Sequence, residues 1–96
     1  MPPNPRVLLI PILEGWQKIV ASQVVGVSED LDEIDRARAL AEQLGRIDCL
    51  FIQGNENEIP WRDTYFDVAY LAGKATDEVR RVIQEAGMIH ECQSTF

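Results

Sequence analysis

Few side chains in this sequence stand at spacings that support chemistry. The single histidine, His90, lies in a predicted strand with no second histidine and no spaced set of ligands around it. Neither a metal nor a general-base role is expected of it. Cys49 and Cys92 lie in separate apolar stretches without CxxC or Cys/His ligand spacing, so they read as two buried thiols. No Walker loop, nucleophile-base pairing or paired-carboxylate geometry is readable, and no catalytic residue or metal ligand is assigned. What remains is a scatter of carboxylates, Glu14, Glu29, Asp30, Glu56, Glu58 and Asp63. They gather at the C-terminal ends of predicted strands, where sheets of this kind bind ligands; they read as a solvated acidic rim, with a weak cation site second.

The elements that must position them alternate between strand and helix. Val7 to Ile10 is a continuous apolar run rich in strand formers, as expected for a central parallel strand covered on both faces. A short helix is predicted over residues 14–22, with Trp16, Ile19 and Val20 at helical spacing. Gln23 to Val27 is a second strand. Asp30 with Glu33 forms a D-x-x-E capping box, after which Leu31, Ile34, Ala37, Ala41 and Leu44 make an apolar helical stripe that Gly45 stops. Cys49 to Gln53 is a third strand, and residues 55–65 are a polar loop holding Pro60 and Trp61. Phe66 to Leu71 is a fourth strand, residues 76–86 a helix with Val79, Val82, Ile83 and Ala86 inward and Gly87 at its end, and Met88 to Cys92 a fifth strand. This alternation predicts an α/β fold with a parallel sheet.

Composition narrows the function classes. With 96 residues there is room for one domain, read as a tail over 1–5, where three prolines crowd, and a single domain over 6–96. Sixteen acidic against nine basic residues, a formal charge of −7, is the wrong sign for holding phosphate backbones, so nucleic acid is not an expected partner. The longest apolar run, residues 7–13 with Pro11 inside it, falls far short of the roughly 20 residues of a membrane span, and it lacks the flanks of a signal peptide. No membrane association is expected, and a cytoplasmic location is.

Three stretches, in order and at suitable separations, resemble class I S-adenosylmethionine (SAM) dependent methyltransferases. Val24-Val25-Gly26-Val27-Ser28-Glu29-Asp30, continuing through Ile34, Arg36, Ala37 and Arg38, is similar to the family's VVGVDxSxxxLxxAR junction. Gly54-Asn55-Glu56, Ile59 to Asp63 and Phe66-Asp67-Val68-Ala69 are similar to its GDAxxLPFxDxxFDVV stretch, and Arg81 to Gly87 to its RVLKPGG stretch. The resemblance implies a three-layer Rossmann-like sheet of about five strands in the order 3-2-1-4-5, here without the family's final hairpin. It also implies a cofactor site at the strand ends. The family's LDxGxGxG loop falls on residues 8–15, where Leu9 replaces the acidic residue, Pro11 and Leu13 replace glycines, and only Gly15 is kept. A side chain fills space meant for ligand and Pro11 removes a donor, so the usual pocket is expected to be blocked. The ribose-binding acidic position falls on Ser28, with Glu29 or Asp30 as substitutes, although Asp30 reads first as a helix cap. The adenine-facing position falls on Asn55, whose carbonyl still accepts. Trp61 reads as cover for the core edge, with an adenine wall as the alternative. Asp67 and Phe66 serve the fold.

The remnant cofactor site is therefore Gly15, Ser28, Glu29 and Asn55. The expectation is a non-catalytic methyltransferase-like module, a pseudoenzyme without cofactor, acting in protein association or regulation. The alternative is a SAM-binding protein or methyltransferase using an altered loop. With the fifth strand an open edge, and Val7, Leu9, Val68 and Tyr70 expected partly unprotected, a homodimer or a protein partner is expected to cover the edge or face.

Overall fold

The computed structural model describes residues 5–10, 12, 15–19 and 21–91. The apolar run at the start becomes β1 (Arg6–Ile10), the centre of a parallel sheet. It is flanked by β2 (Gln23–Ser28) and β3 (Cys49–Gln53) on one side and by β4 (Phe66–Leu71) and β5 (Ile83–Glu91) on the other, giving the order β3-β2-β1-β4-β5. Register is set by pairs such as Val7 with Val24 and Val68, and Val24 with Cys49. Cys49 therefore sits on one edge strand, while Cys92 lies outside the described residues. The expected order and class are those observed.

Both faces of the central strands are buried because β1, β2 and β4 carry apolar residues at nearly every position. On one face Val7, Leu9, Val24, Phe51 and Val68 pack against Trp16 and against Ile34, Ala37 and Ala41 of helix α1 (Leu31–Gln43). The indole of Trp16 meets the Phe51 ring edge-on at 5.0 Å. Val7, Leu9 and Val68, expected to be partly unprotected, are thus fully buried, and Tyr70 is half-buried. On the other face Leu8, Ile10, Val25, Val27, Ala69 and Leu71 meet Val79 and Val82 of helix α2 (Asp77–Val82) together with Ile59 and Phe66. Each fully buried aliphatic or aromatic side chain contributes about 1.5–3 kcal/mol.

Helix α1 ends as its sequence demands. Gly45 takes φ 68°, its N–H bonds the Glu42 carbonyl, and the Arg46 N–H bonds that of Ala41, a Schellman closure. At its start the capping box forms by half. Asp30 accepts from the N–H groups of Asp32 and Glu33, but the Asp30 N–H goes to Ser28 Oγ rather than to Glu33, one of whose buried carboxylate oxygens has no partner.

Two helical segments are shorter than the apolar spacing predicts. Among the described residues of 14–22 the helix is a 3₁₀ turn, Trp16–Lys18, because Gly15 enters it at φ 89° and Ile19 is already extended. Arg46 then holds that turn by donating to the carbonyls of Gln17 and Ile19 while gripping Asp48 at 2.8 Å. Helix α2 stops at Val82 rather than Ala86, and β5 starts at Ile83, which pairs with Phe66. The next pairs are Val68 with Met88, so residues 84–87 of β5 are accommodated opposite Asp67 in an irregular turn. Gly87 makes that turn possible: a Cβ there meets Ile83 Cγ2 at 2.5 Å and the Asp67 and Gln84 carbonyl oxygens at 2.9 Å. It is a tight corner inside β5, not the stop of a helix.

Because α2 is only six residues long, the loop over 54–65 completes the cover, with Ile59 buried and Trp61 and Tyr65 packed beside Phe66. Arg81 clamps it. Its guanidinium donates to the carbonyls of Ile59 and Trp61 at 2.9 Å, to Glu78 at 2.8 Å and to Asp63, and Glu78 accepts the Ile59 N–H. Chiefly through the Arg81 hydrogen bond, Glu78 is held below the usual carboxylate range.

Replacing Arg81 by Gln strips the loop carbonyls of their donor. The urea midpoint is expected to fall, with Trp61 fluorescence red-shifted before global unfolding. A melt like that of the parent sinks the clamp.

Asp48 is held below its ordinary pKa mainly by the Arg46 hydrogen bond, so its folded value lies below its unfolded one. The stability it adds is present above about pH 4 and is lost as pH falls through the folded pKa. The Asp48→Asn variant is expected to show a flatter fall in melting temperature between about pH 5 and pH 2. An unchanged pH profile rules this out.

Candidate functional site

Consecutive connections leave β1 toward opposite sides, to β2 and β3 first and then across to β4 and β5. A crevice opens at the C-terminal ends of the strands where they part. Two adjoining cavities occupy it. One, of about 260 Å³, is lined by Ile10, Val27, Ser28, Glu29, Asp30, Gly54, Asn55 and Glu56. The other, of about 380 Å³, is lined by Ile10, Leu71, Ala72, Gly73, Lys74, Thr76 and Glu56. Ile10 and Glu56 belong to both, so the pair shares a floor and one wall.

Three of the four sequence-predicted residues meet here. Ser28 ends β2 and is the buried polar residue among those described; its Oγ accepts the Asp30 N–H at 3.1 Å and its carbonyl accepts the Gly54 N–H at 3.0 Å. Its acceptors therefore serve the strand ends, while its hydroxyl proton remains available. Glu29 follows on the rim, exposed, its carboxylate without a partner among the described residues. Asn55 Oδ1 accepts the Asn57 N–H at 2.8 Å, closing a turn in which Asn55 and Glu58 also exchange backbone hydrogen bonds. One lone pair of that oxygen is left for a ligand. Gly15 lines neither cavity; it enters the 3₁₀ turn instead. Pro11 and Leu13, on which the expected blockage rests, lie outside the described residues.

The acidic rim is smaller than expected. Glu29, Asp30 and Glu56 line the cavities, whereas Asp63 pairs with Arg81, Glu58 lines neither cavity and Glu14 lies outside the described residues. No group of three or more His, Cys, Asp or Glu residues is placed to hold a metal among the described residues. Trp61 covers the core edge and lines neither of these two cavities. Asp67 accepts the Arg6 N–H at 2.9 Å and pairs with its guanidinium, a link between β1 and β4 far from the crevice. Cys49 is half-buried, and burial pushes its thiol up, away from thiolate chemistry at neutral pH. His90 stacks on Tyr70 across β4 and β5, with rings 5.0 Å apart.

The second cavity, with Gly73, Lys74 and Thr76, is absent from the sequence-predicted site. Ala72-Gly73 follows a predicted strand, as Ser28 and Asn55 do, but only the order of the sheet sets its end at the same edge as theirs. Arg81 gave no local signal either, because its loop partners Ile59, Trp61 and Asp63 lie about 20 residues upstream.

No family model matches the chain, and no curated protein does. Solved structures do. The YcgJ protein of Bacillus subtilis superposes with a TM-score of 0.76 at 24% identity over 90% of this chain and 43% of its own. An S-adenosylmethionine dependent methyltransferase of Mesorhizobium loti gives 0.66 at 18% identity, covering 84% of this chain and 43% of its own. The [4+2]-cyclase SpnF gives 0.68 at 19% identity, covering 84% and 35%. The fold is therefore the class I methyltransferase-like one, and the chain spans less than half the length of these structures. That a cyclase shares the fold shows how little chemistry the fold alone fixes.

The geometry separates two neighbouring carboxylates. Asp30→Ala is expected to cost about 1 kcal/mol in urea unfolding through the lost cap, whereas Glu29→Ala leaves stability within about 0.5 kcal/mol. Equal losses in the two variants contradict these roles.

Proposed function

We propose that the crevice binds S-adenosylmethionine and that the chain is the cofactor-binding core of a methyltransferase-like protein. One observation carries this reading: two cavities sharing Ile10 and Glu56, one lined by acceptors and the other by a cation, suit a ligand with a nucleoside end and an amino-acid end. The larger volume, about 380 Å³, falls in the range of small-ligand sites, roughly 300–1,000 Å³.

The residues present fit such a group. Glu29 offers an unpaired carboxylate to ribose hydroxyls, one residue beyond the position that Ser28 occupies. The free lone pair of Asn55 Oδ1 suits an exocyclic amine, and Ile10 supplies an apolar floor. Glu29, Asp30 and Glu56 favour a ligand of positive charge. Bound there, SAM supplies an electrophilic methyl group on a sulfonium. The chain's own contribution is to bind and orient it, and no described side chain is placed as a general base.

Calorimetric titration with S-adenosylhomocysteine tests the reading. Saturable micromolar binding is expected, weakened about tenfold in Glu29→Gln, the scale of one hydrogen bond to a charged group. Absence of heat at millimolar ligand overturns it. That outcome favours the second reading, a module for protein association without cofactor, for which the observation is the open edge of β5 with Met88 exposed.

A further inference from the structure

Of the basic side chains described, only Lys74 lines either cavity. Arg38 bonds the Phe51 carbonyl, Arg46 holds the first turn, Arg81 clamps the long loop, and Arg6 and Arg62 lie against Tyr65. Lys74 forms no ion pair among the described residues, although it belongs to a chain with a formal charge of −7. An unpaired cation beside a concavity is a ready partner for an anionic group.

The loop that carries it is held on both sides. Before it, the Ala72 N–H bonds the Ile10 carbonyl at 3.0 Å, tying the loop to the end of β1. After it, the Ala75 N–H bonds Glu91 at 2.6 Å, and the Thr76 hydroxyl donates to the Glu56 carbonyl. Between these ties the Gly73 and Lys74 N–H groups have no partner among the described residues, and a Cβ built on Gly73 meets nothing within 4 Å. The loop thus presents open donors and one cation to empty space at a fixed place. Glu56 lines the same cavity, and Ile10 and Leu71 form its apolar floor. A cation and an anion over an apolar floor complement a zwitterion.

We propose that Lys74 anchors the carboxylate of the ligand's amino-acid end, with Glu56 facing its ammonium. This assignment rests on the cofactor reading of the crevice. It places the anchor on the loop after β4.

The test compares S-adenosylhomocysteine with 5′-methylthioadenosine, which keeps the nucleoside and sulfur but lacks the amino-acid end. Both are titrated by calorimetry into the parent, Lys74→Ala and Lys74→Arg. Lys74→Ala is expected to weaken S-adenosylhomocysteine about fivefold, the scale of one exposed charge pair, with methylthioadenosine unchanged and Lys74→Arg close to the parent. The difference between the two ligands is expected to shrink on raising salt from about 0.15 M to 0.5 M. Equal affinity of parent and Lys74→Ala for S-adenosylhomocysteine overturns the anchor, as does equal loss for both ligands. If the two ligands bind the parent equally, the anchor falls while the cofactor reading stands. If neither binds, both fall.

Discussion

The hydrogen bonds of Arg81 hold together what the sheet itself cannot cover. A five-strand parallel sheet needs both faces shielded, and on one face helix α2 supplies only six residues. The loop over 54–65 fills the remaining area with Ile59, Trp61 and Tyr65, but folding an irregular segment onto a core takes its carbonyls away from water. Arg81 answers that cost with one guanidinium bonded to Ile59 and Trp61, and Glu78 answers the Ile59 N–H from the same helix. The opposite end of the loop, Gly54 to Glu56, is a wall of the crevice. Core cover and site wall are therefore parts of one segment, tied by Arg81 and Glu78 at one end and by Thr76 and Ser28 at the other.

The parts of this architecture legible in the sequence are those decided locally or by burial on both faces. Val7 to Ile10 reads as a strand because no polar position interrupts it, and α1 reads as a helix because its stripe, its Asp30 cap and its Gly45 stop agree. The boundary between α2 and β5 misleads for a physical reason. Val79, Val82 and Ile83 fit a helical face, yet Ile83 gains more by pairing with Phe66 at the start of β4, a partner 17 positions away. Tertiary pairing overrides a period that both conformations satisfy. The 3₁₀ turn after Gly15 misleads similarly: Trp16 and Ile19 keep helical spacing, but the glycine's positive φ and the pull of Arg46 from across the molecule shorten the segment.

At the crevice, legibility divides along the same line. The motif resemblance points to Ser28 and Asn55 after two of the strands, and the structure brings them together. Lys74 and Thr76 follow a strand too, but nothing in their local spacing marks a cavity; that depends on Leu71 and Ile10 ending side by side in neighbouring strands. Their place beside the cavity emerges only once the order of the sheet is known.

Ser28 shows how the fold shifts chemistry from one residue to its neighbour. Where β2 ends, the ladder leaves the N–H groups of Asp30 and Gly54 needing acceptors in a buried place. Ser28 supplies both, through its hydroxyl oxygen and its carbonyl, which leaves only its hydroxyl proton for other partners. A longer acidic side chain at that position reaches past the backbone toward the crevice; a serine does not. Glu29, whose carboxylate no described group engages, lines the cavity one position further along the chain. Loss of an acidic residue from a motif position therefore need not remove its charge from the crevice, because the next residue on the turn carries a carboxylate to the same rim.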